Sequence, residues 1–154
     1  MTTVVTYGTF DLFHIGHLKL LERAKQLGDK LIVGVSTDEF NALKGKRSFI
    51  PYAQRSEIVA ALKCVDMVIP ETNWEQKIED IEKYNINVFC MGNDWKDKFD
   101  FLKDKCKVVY LNRTTDIDST NLRALARAFD KESITQLAEA KNIISDLLKR
   151  FDVS

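Results

Sequence analysis

The N-terminal stretch through His17 constrains the fold of this chain more than any other part of the sequence. A β-branched run from Thr2 to Thr6 predicts a strand, and apolar residues recur at helical spacing after His17. Gly8 lies where the strand must turn and Gly16 where the helix begins, so a ligand can approach the backbone closely at both places. A strand end, a tight turn and a helix N-terminus together predict a phosphate-binding site.

The two histidines of the protein, His14 and His17, both lie in this turn. A separation of three residues places their rings on one face of a helical turn. From there imidazole N–H groups can donate to phosphate oxygens and stabilise charge that develops on a phosphoryl group. A zinc site is disfavoured because no third ligand lies at a suitable spacing, and the dinucleotide fingerprint G-x-G-x-x-G is absent.

The composition excludes several other classes of protein. The 154 residues suggest one domain with a hydrophobic core, and a formal net charge of zero gives no global basic field for nucleic acid. Three scattered cysteines without a C-x-x-C spacing suggest buried thiols rather than a disulfide framework or a metal site. With no signal peptide and no apolar run of membrane length, we expect a cytoplasmic protein without membrane insertion.

Alternating strand and helix patterns predict an α/β fold. The predicted strands are Thr2–Thr6, Lys30–Ser36, Val65–Pro70, Asn85–Met91 and Lys107–Leu111. No Asn-Gly hairpin joins neighbours, which favours a five-stranded parallel sheet with helices on both faces. Ligands of such sheets bind beyond the carboxyl ends of the strands. The opening turn, Asp94 with Trp95, and Arg113 all follow predicted strands, so we expect them to converge at this edge.

The C-terminal region predicts two helices in succession. One ends at Phe129, and a second begins with its own cap at Ser133 and continues with an apolar stripe to Phe151. We therefore predict a main domain over residues 1–129 and a helical extension over 130–154. The stripe suggests packing on the same domain or on a second copy of the chain.

The turn G-T-F-D-x-x-H-x-G-H resembles the nucleotidylyltransferase superfamily, and further segments narrow the resemblance to bacterial glycerol-3-phosphate cytidylyltransferases. These segments are S-T-D-E-F, the Lys44/Lys46 loop, Arg55, V-D-M-V-I-P-E, N-W-E-Q-K, M-G-N-D-W, K-F-D-F-L-K-D-K-C, V-V-Y-L and R-T. The resemblance implies a Rossmann-like fold, a homodimer, and transfer of CMP from CTP to glycerol 3-phosphate for teichoic acid or capsule synthesis. Magnesium is expected to accompany CTP.

The resemblance also implies roles for individual residues. The implied catalytic residues are His14, His17, Lys44, Lys46 and Arg113. The implied nucleotide-binding residues are Thr9, Phe10, Asp11, Gly16, Asp94, Trp95, Arg113, Thr114, Ser119 and Thr120. The implied acceptor-binding residues are Asp38, Lys44, Lys46, Arg55, Lys63 and Asp66. Taken alone, Asp38 is equally explained as a helix cap, and Arg55 as an exposed helix residue.

The sequence departs from the family pattern in two places. The family pattern after the fifth strand is usually R-T-x-G-I-S-T-T. This chain has Asp116 where that pattern has glycine and Asp118 where it has serine. Either Ser119 and Thr120 carry the phosphate contacts while Asp118 turns away, or the affinity for nucleotide is altered. Lys63 stands where the family commonly has arginine, and lysine loses the bidentate fork.

These features leave three functions to compare. The first is the glycerol-3-phosphate cytidylyltransferase, or a cytidylyltransferase for another small phosphorylated alcohol. The second is a nucleotide-binding module in which catalysis has weakened. The third is an enzyme of the same class that uses ATP instead of CTP. The resemblance of the segments after the fourth and fifth strands favours cytosine over adenine.

Overall fold

The computed structural model describes residues 1–112 and 119–151, including the side chains of 1–112 and 134–151. The strands are β1 (Thr3–Gly8), β2 (Lys30–Ser36), β3 (Met67–Glu71), β4 (Val88–Gly92) and β5 (Lys107–Leu111). The α-helices are α1 (Ile15–Lys25), α2 (Asp38–Leu43), α3 (Tyr52–Ala60), α4 (Gln76–Lys83) and α5 (Ser119–Arg150). Two short 3₁₀ helices, Asn93–Trp95 and Asp100–Leu102, lie between β4 and β5.

The five strands form one parallel sheet in the order β3-β2-β1-β4-β5. From β1 the chain builds the sheet outward through β2 and β3, and then returns to add β4 and β5 on the other side of β1. This reversal makes the carboxyl ends of β1 and β4 the point where a parallel sheet opens a ligand crevice. The predicted Rossmann-like sheet is confirmed.

Helices cover both faces of the sheet, as predicted, because the central strands are apolar on both sides. Val4 faces a buried cluster that includes Leu21 of α1 and Val59 of α3. Its neighbour Val5 faces the opposite cluster, which includes Ile81 of α4. Successive side chains of a strand alternate between faces, so one short strand supports both layers.

The predicted limits of β2 and β5 are confirmed, whereas β3 and β4 begin later than expected. Val65 and the residues just before β4 are apolar enough to suggest strand, but Val65 lies in a turn in which its N–H donates to the carbonyl of Leu62. Strand β3 begins only at Met67, which pairs with Ile32 of β2. These strands begin where they pair with a neighbouring strand, and the hydrophobicity of the local sequence gives no information on that pairing.

α5 is a single helix of 32 residues, so the predicted break between Phe129 and Ser133 is wrong. No glycine or proline lies between residues 119 and 150, and a lone serine inside a helix does not end it. The chain forms two compact units, Met1–Ile117 and Asp118–Ser154. The assignment of 1–129 and 130–154 as separate domains stays a prediction. In the described part of the chain, no helix is both long and apolar enough to cross a membrane.

Candidate active site

The two histidines are locked at the start of α1 by the backbone. His14 is the N-cap residue, and its Nδ1 accepts a hydrogen bond of 2.9 Å from the Gly16 N–H. The N–H of His14 in turn donates to Nδ1 of His17 at 3.2 Å. Because both Nδ1 atoms act as acceptors, the proton of each neutral ring is assigned to Nε2.

The rings of His14 and His17 stack with their centroids 4.0 Å apart, which confirms that they share one face. The edge of Phe10 meets His17 at 5.7 Å between centroids, and Phe13 lies 5.3 Å from the same ring. Two oriented Nε2–H donors at a helix N-terminus form a site suited to charge on a phosphoryl group.

The turn before α1 is held in an unusual backbone conformation. Phe10 and Leu12 have φ angles of 53° and 48°, in the left-handed region that side chains other than glycine seldom adopt. The buried carboxylate of Asp11 accepts hydrogen bonds from the N–H groups of Phe49 (2.8 Å) and Ile50 (3.0 Å). Asp11 therefore fixes the shape of the turn, and its contact with nucleotide stays a prediction.

Arg55 is a buried clamp beneath this turn rather than a group presented to a ligand. Its side chain is 1 % exposed. Its guanidinium donates to the carbonyls of Thr9 (2.7 Å), Ser36 (2.8 Å) and Ile50 (2.8 Å), and to the Asp38 carboxylate (2.8 Å). It thereby ties the end of β1 to the end of β2. The predicted direct contact between Arg55 and the acceptor does not fit this geometry, because the donors point at protein oxygens.

Asp38 has a similar structural use. Its carboxylate accepts from the N–H of Tyr52 at 3.0 Å and from Ser48 Oγ at 3.1 Å, in addition to Arg55. The Tyr52 N–H, followed by the Arg55 and Ser48 hydrogen bonds, lowers the pKa of Asp38. The α2 cap itself is Thr37, whose side chain accepts from the N–H of Phe40. Asp38 is therefore not the cap of α2, and its contact with the acceptor stays a prediction.

Lys44 belongs to a charged group at the ends of β2 and β3. Its ammonium donates to Ser36 Oγ at 3.3 Å and lies 4.0 Å from Glu71 Oε1. It also lies 4.3 Å from the centre of the Phe40 ring. Burial lowers the pKa of Lys44, and Glu71 opposes that effect.

A second lysine, Lys77, completes this group and was missed by the sequence reasoning. Its ammonium, 1 % exposed, lies 2.6 Å from the other oxygen of Glu71. The ring of Trp74 lies 4.8 Å from the Lys77 ammonium and 5.6 Å from that of Lys44. The available signal was the position of Lys77 four residues before Ile81, on the buried face of α4. A lysine on an apolar helix face needs a partner or a ligand.

The remaining predicted residues fall into two sets. Lys46 is exposed in the loop after α2, and its N–H donates to the Asn41 carbonyl. Thr9 Oγ1 donates to Asn41 Oδ1 at 3.1 Å. Asp94 and Trp95 directly follow β4, and the Trp95 ring lies 5.9 Å from that of Trp74. The structure therefore brings these residues to the carboxyl edge of the sheet with the histidine turn.

Lys63 and Asp66 lie at the opposite edge. Asp66 accepts from the N–H of Leu31, near the beginning of β2, and pairs with Lys25 at the end of α1. The hydrogen bond from Lys25, followed by that from the Leu31 N–H, lowers the pKa of Asp66. Lys63 is exposed in the connection before β3. Within one chain, the structure does not bring either residue to the site, which argues against their predicted acceptor contacts.

Some predictions concern residues that the structure does not describe. Arg113, Thr114, Asp116 and Asp118 lie outside the described residues. Ser119 and Thr120 begin α5, but their side chains are not described either. Their proposed contacts with nucleotide stay predictions.

Two observations on the described residues concern metal ligands and thiols. No group of three His, Cys, Asp or Glu side chains there could hold a metal ion. Cys90 is buried in the core, and burial raises the pKa of its thiol to about 12. An un-ionised, packed thiol is a structural residue.

Comparison with known proteins places this site in a family. The family model described as cytidylyltransferase-like matches residues 5–148. The chain belongs to this family. The match also extends over residues 130–148, which are most of the predicted helical extension.

Curated relatives resemble the chain closely. It is 59 % identical over 123 residues to the glycerol-3-phosphate cytidylyltransferase of Bacillus subtilis, covering 80 % of this chain and 95 % of the relative. It is 53 % identical to the enzyme of the same name from Staphylococcus aureus, covering 80 % and 93 %. A solved structure, the lipopolysaccharide core biosynthesis protein of Thermoplasma volcanium, superposes with a TM-score of 0.66 at 26 % identity, over 74 % of this chain and 98 % of that one.

Proposed function

We propose that this protein is a glycerol-3-phosphate cytidylyltransferase, which transfers CMP from CTP to glycerol 3-phosphate and releases pyrophosphate. The observation that carries the reaction class is the pair of stacked imidazoles, 4.0 Å apart, whose Nδ1 atoms are held by backbone N–H groups at the start of α1. The substrates rest on the identity of 53–59 % to enzymes of that name.

In the proposed reaction, an oxygen of the acceptor phosphate attacks the α-phosphorus of CTP. The bond from that phosphorus to the bridging oxygen breaks, and pyrophosphate leaves with the bonding electrons. A phosphate monoester has a second pKa of about 6, so the acceptor is already an anionic nucleophile at neutral pH. The reaction therefore needs no general base, and positioning with charge stabilisation carries the catalysis.

His14 and His17 supply that stabilisation. Their Nε2–H groups donate to phosphate oxygens, where negative charge increases as the α-phosphorus becomes five-coordinate. The capping hydrogen bonds matter because a ring whose Nδ1 is already an acceptor cannot turn to present a lone pair to the phosphate. The α1 N-terminus adds partial positive charge in the same direction.

Lys44, whose side chain is 13 % exposed, is proposed to bind the acceptor phosphate. Lys77 is buried and paired with Glu71, so its proposed role is to offset the charge of that carboxylate, which then leaves the Lys44 ammonium available to a phosphate. Lys46 extends from the same loop toward solvent and is assigned to the triphosphate. Asp94 and Trp95, after β4, are proposed to contact the cytosine.

Magnesium enters this proposal with the nucleotide. Because no described group of side chains forms a metal cage, the ion is assigned to the triphosphate oxygens, where it would offset their charge. No step above depends on a protein ligand to the ion. We also propose that the enzyme acts in the cytoplasm as a homodimer and that its product supplies a surface polymer such as teichoic acid.

The test is release of pyrophosphate by the pure protein with CTP, magnesium and glycerol 3-phosphate. Parallel reactions replace the acceptor by other phosphorylated polyols or by a phosphorylated amino-alcohol, and CTP by ATP. Pyrophosphate release with another acceptor but not with glycerol 3-phosphate would overturn the proposed acceptor. The proposed reaction class would stand. CTP binding by calorimetry without turnover on any acceptor would overturn the enzyme in favour of a nucleotide-binding module.

A further inference from the structure

Asn41, in α2, is a buried polar residue whose amide nitrogen is not used by the fold. The residue is 1 % exposed, and its Oδ1 accepts a hydrogen bond of 3.1 Å from Thr9 Oγ1. Its Nδ2 is also buried, and no acceptor in the part of the chain that the structure describes lies within hydrogen-bonding distance of it. Native proteins keep few buried donors without a partner, because each one costs stability.

The surrounding backbone holds both Asn41 and Thr9 in place. The carbonyl of Asn41 accepts from the N–H groups of Lys44 (3.1 Å) and Lys46 (2.8 Å), which ties it to the loop after α2. The carbonyl of Thr9 accepts from the Arg55 guanidinium at 2.7 Å. Asn41 thus joins the turn before α1 to the loop that carries the two lysines. With both backbones held, the direction of the hydrogen bond between the two side chains is what can change.

This pair of side chains has two hydrogen-bonded arrangements. In the accepting arrangement, Asn41 Oδ1 takes the proton of the Thr9 hydroxyl, which then has no proton for a ligand. A half-turn of the amide about its Cβ–Cγ bond exchanges the oxygen and the nitrogen. In the resulting donating arrangement, Nδ2 donates to Thr9 Oγ1. Because a hydroxyl has one proton and two lone pairs, its proton is then available to another acceptor.

We propose that Asn41 is a positioning residue for the triphosphate of CTP, whose amide donates to Thr9 Oγ1 so that the Thr9 hydroxyl donates to a phosphate oxygen. This inference rests on the proposed function, which makes CTP the ligand of the turn before α1. Ionised phosphate oxygens accept hydrogen bonds and donate none, so their binding selects the donating arrangement. Thr9 is only partly buried, whereas Asn41 is fully buried behind it, so the hydroxyl is the group that a ligand can reach.

The alternative role for Asn41 is purely structural. In that role the amide always accepts the Thr9 proton and only stabilises the turn, and both of its N–H groups stay unused. The Thr9 hydroxyl would then never contact a phosphate, and the affinity for CTP would not depend on it. The two roles therefore predict different affinities for variants of Thr9.

The first experiment measures binding of CTP with magnesium to the full-length protein by calorimetry. Thr9→Val nearly keeps the shape of the side chain and removes the hydroxyl, whereas Thr9→Ser keeps the hydroxyl. We expect Thr9→Val to weaken CTP binding about 10–100-fold, as for loss of a hydrogen bond to a charged group, and Thr9→Ser to retain most of the affinity. The matched control, Thr3→Val at the other end of β1, should bind CTP like wild type. Equal affinities of Thr9→Val and wild type would overturn the proposal.

The second experiment tests whether Asn41 acts through Thr9. Asn41→Leu removes the amide at similar volume and adds no charge, and it is made in wild type and in the Thr9→Val background. We expect it to weaken CTP binding about tenfold in wild type, within the range of measured pairwise couplings, and to cause no further loss in the Thr9→Val background. The same loss in both backgrounds would mean that Asn41 only shapes the turn. If Asn41→Leu does not fold, the Thr9→Val result decides the proposal alone.

Failure of this inference is distinguishable from failure of the proposed reaction. Wild type that binds CTP but releases no pyrophosphate would refute the reaction and leave the comparison of affinities in place. Wild type that releases pyrophosphate, with Thr9→Val binding CTP equally well, would overturn the role of Asn41 alone. Wild type that does not bind CTP would overturn both.

Discussion

Replacing Arg55 tests whether this residue stabilises the fold or binds the substrate. The sequence suggests that Arg55 binds the acceptor, whereas the structure directs its guanidinium at the carbonyls of Thr9, Ser36 and Ile50. The informative change is Arg55→Met, which keeps most of the side-chain volume and removes every donor. If Arg55 holds these carbonyls in place, the Arg55→Met variant should have a lower free energy of unfolding as well as lower activity.

The size of the effect follows from the hydrogen bonds that are lost. Each buried carbonyl left without its charged donor costs about 1–3 kcal/mol. The bond to Asp38 adds little, because that carboxylate is 47 % exposed and water screens the pair. Allowing for partial relaxation of three neighbouring carbonyls, we expect a loss of about 3–5 kcal/mol, a large share of the ~5–15 kcal/mol by which domains are stable.

Urea denaturation followed by circular dichroism measures this loss, with Arg47→Met, at an exposed arginine of the same region, as the control. The control should change the free energy of unfolding by less than about 0.5 kcal/mol. The reasoning is refuted if Arg55→Met unfolds at the wild-type urea concentration and shows only a raised KM for glycerol 3-phosphate. That outcome would restore Arg55 to the acceptor site.

Three further predictions follow from the site and the core. His17→Ala should lower kcat about 10²–10³-fold in the pyrophosphate assay, as expected for loss of one transition-state donor. Because burial lowers the pKa of Lys44, its charge is lost at a lower pH than that of a free lysine; the KM for acceptor should therefore rise at alkaline pH, and Lys44→Arg should move that rise to higher pH. Gly34→Ala should destabilise the fold by roughly 3 kcal/mol or more, since the new Cβ would lie 2.2 Å from the Tyr7 ring.

Each of these has its own control. For His17→Ala, an unchanged melting temperature separates catalysis from folding, and unchanged kcat would remove the ring from the transition state. For Lys44→Arg, identical pH profiles of variant and wild type would assign the alkaline rise to another group. For Gly34→Ala, the matched substitution is Gly92→Ala, where a Cβ has no atom within 4 Å, and equal stability of the two variants would contradict the predicted clash.

Much of the fold could be predicted because its signals are local. The limits of β2 and β5 are set by short apolar runs with polar flanks, and the opening turn has Gly8 at the end of the strand and Gly16 in the first turn of the helix. The position of the histidine turn and of Asp94 at one edge of the sheet was predicted for the same reason. In a parallel sheet, a residue that follows a strand lies at the carboxyl edge whatever the rest of the chain does, as Asp94 does.

What local signals could not supply are the contacts between distant residues. Lys77 meets Glu71 across the start of α4, and the burial of both side chains depends on how α4 packs on the sheet. Asp66 was assigned to the acceptor by resemblance, within a predicted strand that began at Val65. Because β3 begins only at Met67, Asp66 lies just before the strand, at the edge of the sheet opposite the histidine turn. The continuity of α5 was missed because Ser133 suggests a cap, although nothing beside it ends a helix.

The sequence by itself determined the turn before α1, the succession of strands and helices along the chain, and the shared face of the two histidines, because each depends on residues within a few positions of one another. Only the tertiary structure decided what the polar residues around that turn do. Arg55 lies 46 positions from Thr9 and 19 from Ser36 along the chain, yet it donates to both carbonyls. Packing brings such groups together, and their identity as clamp or ligand depends on which oxygens the folded backbone places around them.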